Sequence, residues 1–284
     1  VFGSCWHYGL ELAYRQLKAE PDTSENALAL IASEGFSALW TLEGAPYFDP
    51  DLVFPKSPVH AENMYRAYWK QYAIEHSRKE ILGVEEPFAI ALQTQSGLRV
   101  EYIGRMDLIL REKSFLEIVD HKTAKSVSAI TSPSYEVSLQ TDGYLTAGNI
   151  YFDSIPRITY LTALCQKSKI AFEIYTYSKT RSAIERFLGD ICWWTDTINR
   201  DLELYKQVDL PHIEDKGYNL LSFKRCPGYA CTAYFRKCGF FDLCTMRNNP
   251  TQFALDPPIG YEVKEWNPAE HEAELKRKLK GEAA

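Results

Sequence analysis

Residues 104–124 read GRMDLILREKSFLEIVDHKTA, and the rest of the chain falls into place around them. Asp107 closes one apolar-rich run and Asp120 closes the next, with Lys122 one residue beyond His121. The runs 103–110 and 115–119 are apolar enough to be central strands. Two such strands side by side bring two carboxylates and one ammonium to a shared edge. Hard carboxylate oxygens suit Mg²⁺ or Mn²⁺. Lys122 is then near enough to orient or deprotonate a water, or to offset charge on a phosphate. A cation-bound water is a better nucleophile, and the cation also stabilises charge developing on phosphate oxygens. An isolated Asp-x-Lys is usually a pair of strand ends meeting in a surface ion pair. Gly104 and the two flanking apolar runs move the expectation to a metal-dependent nuclease.

Working outward, 87–94 and 99–110 resemble two strands around a turn at Ser96-Gly97, and 114–120 a third. Upstream, the spacing predicts helices over 3–19 and 24–35, the second introduced by Ser24. Prolines at 46, 50, 55 and 58 make 44–58 a loop or crossover. A helix follows over about 60–82, with an aromatic face of Tyr65, Tyr68, Trp69 and Tyr72 and Gly83 as its stop. Downstream come a helix over 134–149, strands over 158–165 and 170–177, and a long helix over 181–206. This order predicts one mixed α/β domain without internal repeats.

The formal charge of −6 argues against a surface coated in positive potential, although a local groove could still receive DNA. No stretch approaches the roughly 18 uninterrupted apolar residues of a membrane span, so no membrane partner is expected. Val1 is not an initiator residue and residues 1–12 carry no secretory pattern, so a piece of a longer protein is expected. Seven cysteines, an odd number, without a signal segment favour reduced thiols in a cytosol.

Four ordered pieces carry a resemblance: GSCWHYGLE at 3–11, GRMD at 104–107, DHKTAK at 120–125 and QTDGY at 140–144. Together they resemble the RecB-type branch of the PD-(D/E)XK nuclease superfamily, especially phage exonucleases and CRISPR-adaptation nucleases. The resemblance implies a restriction-endonuclease-like central mixed sheet flanked by helices. It implies a metal site of His7, Asp107, Asp120 and the carbonyl of His121, with Lys122 as the catalytic lysine. Gln140 and Tyr144 then support the active centre and contact substrate. The chemistry of the residues is compatible. An imidazole at His7 can ligate Mn²⁺ or organise water, and Gln140 and Tyr144, four apart, point from one helical face. Glu11 shares a face with His7, and Thr123 can hydrogen-bond near substrate. Glu117 is expected on the opposite strand face from Asp120.

Cys226, Cys231, Cys238 and Cys244 cluster late in the chain among basic residues and aromatics. Four thiolates can hold a [4Fe–4S] cluster or Zn²⁺, or remain unligated. Several nucleases of the resembled branch staple their C-terminal region with an iron–sulfur cluster, though the spacing here is looser. Cys5 is a weak early partner, and Cys165 and Cys192 look like buried small hydrophobes. The aromatics and cations around these cysteines suit DNA contact.

The expectation is therefore a nuclease core with its N-terminal helical region over 1–222, and a cysteine-rich cap and charged tail over 223–284 packed on it. The resemblance implies a metal-dependent DNA exonuclease working on linear DNA with an accessible end. It would act in phage recombination or DNA processing, beside proteins of those processes, in a cytoplasm (the host's if phage-encoded). Alternatives are a CRISPR-adaptation nuclease, a non-catalytic DNA-binding or assembly protein on the same scaffold, and a zinc-organised structural protein. The residues assign no oligomeric state.

Overall fold

The structure, a computed structural model, describes residues 1–43, 54–126, 135–206, 237–242, 257–262, 267 and 270. Helix α1 (Phe2–Ala19) buries Trp6, Leu10, Ala13, Tyr14 and Leu17, three and four residues apart, on one face. Helix α2 (Glu25–Glu43) starts where expected, with Ser24 Oγ accepting from Ala27 N–H at 3.3 Å. It runs eight residues past the expected end at Gly35. A Cβ on Gly35 would sit 2.6 Å from Leu12 Cδ1, and one on Gly9 would sit 2.4 Å from the Ala32 carbonyl oxygen. Gly35 thus lies inside α2 and serves the close approach of α1 and α2.

Helix α3 (Pro58–Ser77) is capped by Ser57, whose Oγ accepts from His60 N–H, and Pro58 lies in its first turn. Its aromatic face is fully inside: Tyr65, Tyr68, Trp69 and Tyr72 are buried. The helix ends five residues short of 82, and β1 (Glu80–Gln93) begins where helix was expected. Past His76 the helical spacing of aromatics stops. The segment 80–84 (EILGV) instead pairs as strand, with Gly83 inside it.

Among the described residues the remaining elements are β2 (Arg99–Glu112), β3 (Phe115–Ala124), α4 (Leu139–Phe152), β4 (Arg157–Cys165), β5 (Ile170–Tyr177) and α5 (Arg181–Lys206). One five-stranded sheet results, in the order β1-β2-β3-β4-β5. Strands β2 and β3 are antiparallel, β3 and β4 parallel, β4 and β5 antiparallel. The sheet is mixed, as expected, and α4 lies in the crossover that a parallel pair requires. Asp107 and Asp120 lie within β2 and β3, not at their ends, because pairing of β3 with β4 continues to Ala124.

One sheet face presents Leu108, Leu110, Val119, Leu161, Ala163 and Cys165 to the core that α1, α2 and α3 share. The other carries Ile118 and Tyr160 against α4, where Gly148 adjoins Ile118 Cδ1 and Thr141 Oγ1 meets the Tyr160 hydroxyl at 2.7 Å. Glu117 faces away from Asp120, as expected, but inside the protein. Lys79 Nζ lies 3.0 Å from its Oε2, Arg157 donates from Nε and Nη2 at 3.1 Å each, and Thr159 Oγ1 donates at 2.6 Å. Burial pushes the Glu117 carboxyl up, and these donors outweigh burial and bring it down to about 2.

Two compact units divide the chain: Val1–Ala91 with Glu101–Phe187 and Asn267–Ala284, and Leu92–Val100 with Leu188–Trp266. No helix among the described residues is long and apolar enough to cross a membrane. Cys226, Cys231 and Cys244 lie outside the described residues, as does nearly all of the cap expected over 223–284. Cys238 is exposed, Cys165 is buried, and Cys192 is only half-buried, short of the interior position expected for it.

Candidate metal centre

The register Leu108↔Val119 sets Asp107 beside Asp120 on adjacent antiparallel strands. His121 N–H, between Asp120 and Lys122, donates to Asp107 Oδ2 at 2.9 Å. From α1, His7 Nδ1 reaches the same Oδ2 at 3.2 Å. Lys122 Nζ turns back along its own strand to lie 2.6 Å from Asp120 Oδ2, as two residues on one strand face can. Asp120 is sealed at 1% side-chain exposure, whereas His7 and Lys122 keep 30% and 28%. His7 and Lys122 are therefore the members of the cluster that most meet solvent.

Helix α4 supplies the support. Ser138 caps it and accepts from Thr141 N–H, which fixes the first turn and with it Gln140. The Gln140 carboxamide accepts from Lys122 Nζ at 3.1 Å and donates from Nε2 to Asp120 Oδ1 and the Tyr144 hydroxyl, both at 2.9 Å. One side chain thus fixes the lysine, an acid and the tyrosine together.

Sequence reasoning missed Glu85. Its carboxylate, His7 and Asp107 offer donor atoms that all lie within 4.8 Å of one another. Glu85 has φ 52° inside β1, a left-handed conformation uncommon for a residue with a Cβ. Ile81 and Val84, an odd distance apart, both enter the same core, so strand alternation breaks just before Glu85, as at a bulge. That break re-aims the side chain toward Asp107. The sequence's one signal was Glu-Glu-Pro at 85–87 interrupting an apolar run. Glu11, the other acidic candidate, is buried on α1 and tied to Arg15 at 3.0 Å. Thr123 lies beside Gly3 of α1, next to Lys122.

The electrostatics are those of a charge-crowded pocket. Burial pushes Glu85 up and the neighbouring Asp107 charge pushes it further, against the pull of Arg105, to about 8. Burial and Asp107 likewise push Asp120 up to about 7, against Lys122. Burial would raise Asp107 too, but the His7 charge and contact, with His121 and Lys122, hold it well below the usual carboxylate range. Burial lowers His7, yet Asp107, Asp120 and Glu85 prevail and lift it to about 9. Lys122 is raised: Asp120 and Asp107 outweigh its burial. Three carboxylates share this space with the His7 imidazole, the Lys122 ammonium and the Arg105 guanidinium, and burial with mutual repulsion outweighs those cations at Glu85 and Asp120.

Residues 1–151, just over half of the 284, match the family model of the PD-(D/E)XK nuclease superfamily. The chain belongs to the PD-(D/E)XK nuclease superfamily. Its mixed sheet flanked by helices is the restriction-endonuclease-like arrangement of that superfamily. No curated protein matches the chain. Among solved structures, the crystal structure of SSO0001 is similar at 14% identity, over 65% of this chain and 72% of that one, with a TM-score of 0.28. A superposition so loose carries no weight for function.

The superfamily implies a divalent cation, and the residues fit one. Asp120 Oδ2 and Glu85 Oε2 are buried without a well-directed hydrogen bond, although Lys122 and Arg105 respectively lie close by. Two carboxylates and an imidazole make a donor set for Mg²⁺ or Mn²⁺.

Proposed function

We propose that this member of the superfamily hydrolyses DNA phosphodiester bonds with Mg²⁺ or Mn²⁺. The observation that carries this is the convergence of His7, Glu85 and Asp107 beside the Asp120–Lys122 pair. His7, Asp107 and Asp120 would hold the cation together with the His121 carbonyl, and Glu85 joins them. When bound, the cation activates water and offsets charge developing on the phosphate.

The protein's own groups do the rest. Lys122 places a positive charge where the cluster meets solvent, and there it orients the attacking water and steadies the phosphate. Gln140 holds Lys122 and Asp120 in register, so the ammonium does not swing into solvent. Tyr144 keeps its proton, since burial and the charges of Asp107 and Asp120 raise it well above its ordinary value. Its hydroxyl, already accepting from Gln140, has that proton to donate toward substrate. The GSCWHYGLE, GRMD, DHKTAK and QTDGY pieces support the RecB-type branch. With it comes action from DNA ends, in phage recombination or DNA processing. The late cysteines, Cys226, Cys231, Cys238 and Cys244, are left as a [4Fe–4S] set, a Zn²⁺ set or unligated thiols, which a visible spectrum after anaerobic purification and metal analysis separate.

The test is cleavage of linear and closed circular DNA by purified protein with Mg²⁺ or Mn²⁺. Asp107→Asn should lose at least a hundredfold in rate while keeping its circular dichroism spectrum. A variant as active as the parent overturns the site. Equal cutting of circles and linear DNA overturns end-dependence alone.

A further inference from the structure

Behind the metal centre, four buried side chains from three elements form one hydrogen-bonded chain. His76 Nδ1 of α3 lies 2.6 Å from the Tyr14 hydroxyl of α1. Tyr14 OH lies 2.5 Å from Tyr68 OH, and Tyr68 OH lies 2.9 Å from His121 Nε2 on β3. His121 ends the chain at the site. Its backbone N–H donates to Asp107 Oδ2, and its other ring nitrogen, Nδ1, lies 4.0 Å from that same oxygen.

All four side chains are buried, which favours their uncharged forms. Each group then has one proton to place, and the chain has two self-consistent directions. In one, every donor points toward the site: His76 Nδ1–H to Tyr14, Tyr14 to Tyr68, Tyr68 to His121 Nε2. His121 then carries its proton on Nδ1, facing the carboxylate. In the other, all the bonds reverse and His121 turns a bare lone pair on Nδ1 toward Asp107. An N–H dipole facing a buried anion at 4.0 Å is attractive and a lone pair there is repulsive, so the negative charge of Asp107 selects the first direction.

We propose that Tyr68 is a positioning residue of the metal centre: its hydroxyl, directed by Tyr14 and His76, locks His121 as the Nδ1–H tautomer and so sets the orientation of Asp107. This role rests on the metal-centre reading above. The lock acts through geometry. The backbone N–H of His121 donates to Asp107 Oδ2 at 2.9 Å, and a proton on Nδ1, 4.0 Å away, adds electrostatic attraction to the same oxygen. Partners that orient ligands in this way are typically worth about 10–100-fold in metal affinity.

The experiment is nitrogen-detected NMR of the imidazoles together with Mn²⁺ titration followed by electron paramagnetic resonance. The wild type should show His121 protonated at Nδ1 and bare at Nε2. Tyr68→Phe, which keeps the ring and loses the hydroxyl, should mix the tautomers and raise the Mn²⁺ dissociation constant about tenfold. Wild-type His121 found protonated at Nε2 overturns the proposal without any variant, so it stays falsifiable even if Tyr68→Phe fails to fold. A folded variant with wild-type Mn²⁺ affinity overturns the positioning role and leaves the metal centre standing. A wild type that binds no Mn²⁺ overturns both.

Discussion

Neutralising Glu85 should stabilise the metal-free protein while weakening its hold on the cation. The Glu85 side chain is 7% exposed and its carboxyl is lifted from 4.5 to about 8 by burial and by Asp107. Because the folded state binds this proton more tightly than the unfolded chain, metal-free stability falls as pH rises from about 4.5 through about 8. Each factor of ten in proton affinity is worth about 1.4 kcal/mol, so the full cost above that window is roughly 4–5 kcal/mol. Asp120, lifted beside the same Asp107, shares that repulsion. About 2 kcal/mol is then relieved by changing Glu85 alone.

Glu85→Gln stands in for the protonated form. In chelator, its thermal midpoint should match the wild type at pH 5 and exceed it by about 4–8 °C at pH 8.5. Added Mg²⁺ or Mn²⁺ should reverse the order, since a ligand that binds only the folded state stabilises the better binder more. A gap that is absent at pH 8.5, or equally large at pH 5, would refute the charge-crowding account of this pocket.

Two further outcomes test the scaffold. Lys79→Met removes a buried cation held by Glu75 and Glu117 and leaves Glu117 short of a partner. It should cost about 3–5 kcal/mol in urea denaturation, and a loss below 1 kcal/mol (an order-of-magnitude threshold) would mean that Arg157 and Thr159 suffice. Gly9→Ala drives a methyl to 2.3 Å from the Tyr65 hydroxyl and 2.4 Å from the Ala32 carbonyl oxygen. It should part α1 from α2 at a cost of about 1–3 kcal/mol or more, seen as a lowered thermal midpoint. An unchanged midpoint there would show that the crossing can open freely.

Much of the site was legible because its groups sit close together along the chain or on one helical face. Asp120 and Lys122 share a strand face by the two-residue repeat, and Gln140 and Tyr144 a helix face by the four-residue one. Nearly every element was legible by type for the same reason. The ends were less so: Gly83 looks like a stop when the strand that contains it is out of view, and nothing in 24–35 shows that α2 runs on. Leu12, far from Gly35 in sequence, explains why α2 runs on. Glu85 was hidden because a left-handed residue within a strand is a product of tertiary constraint, without a residue type to announce it.

The amino-acid sequence alone placed Asp120 with Lys122 and Gln140 with Tyr144 through local repeats, while His7 joined them only through the family resemblance. Only the tertiary structure decided which of them share a charge. Asp107 is depressed and Asp120 and Glu85 are raised because strand pairing and a bulge crowd three acids from three strands into one buried pocket. Burial there strengthens every charge–charge term beyond what any of these residues meets in the unfolded chain.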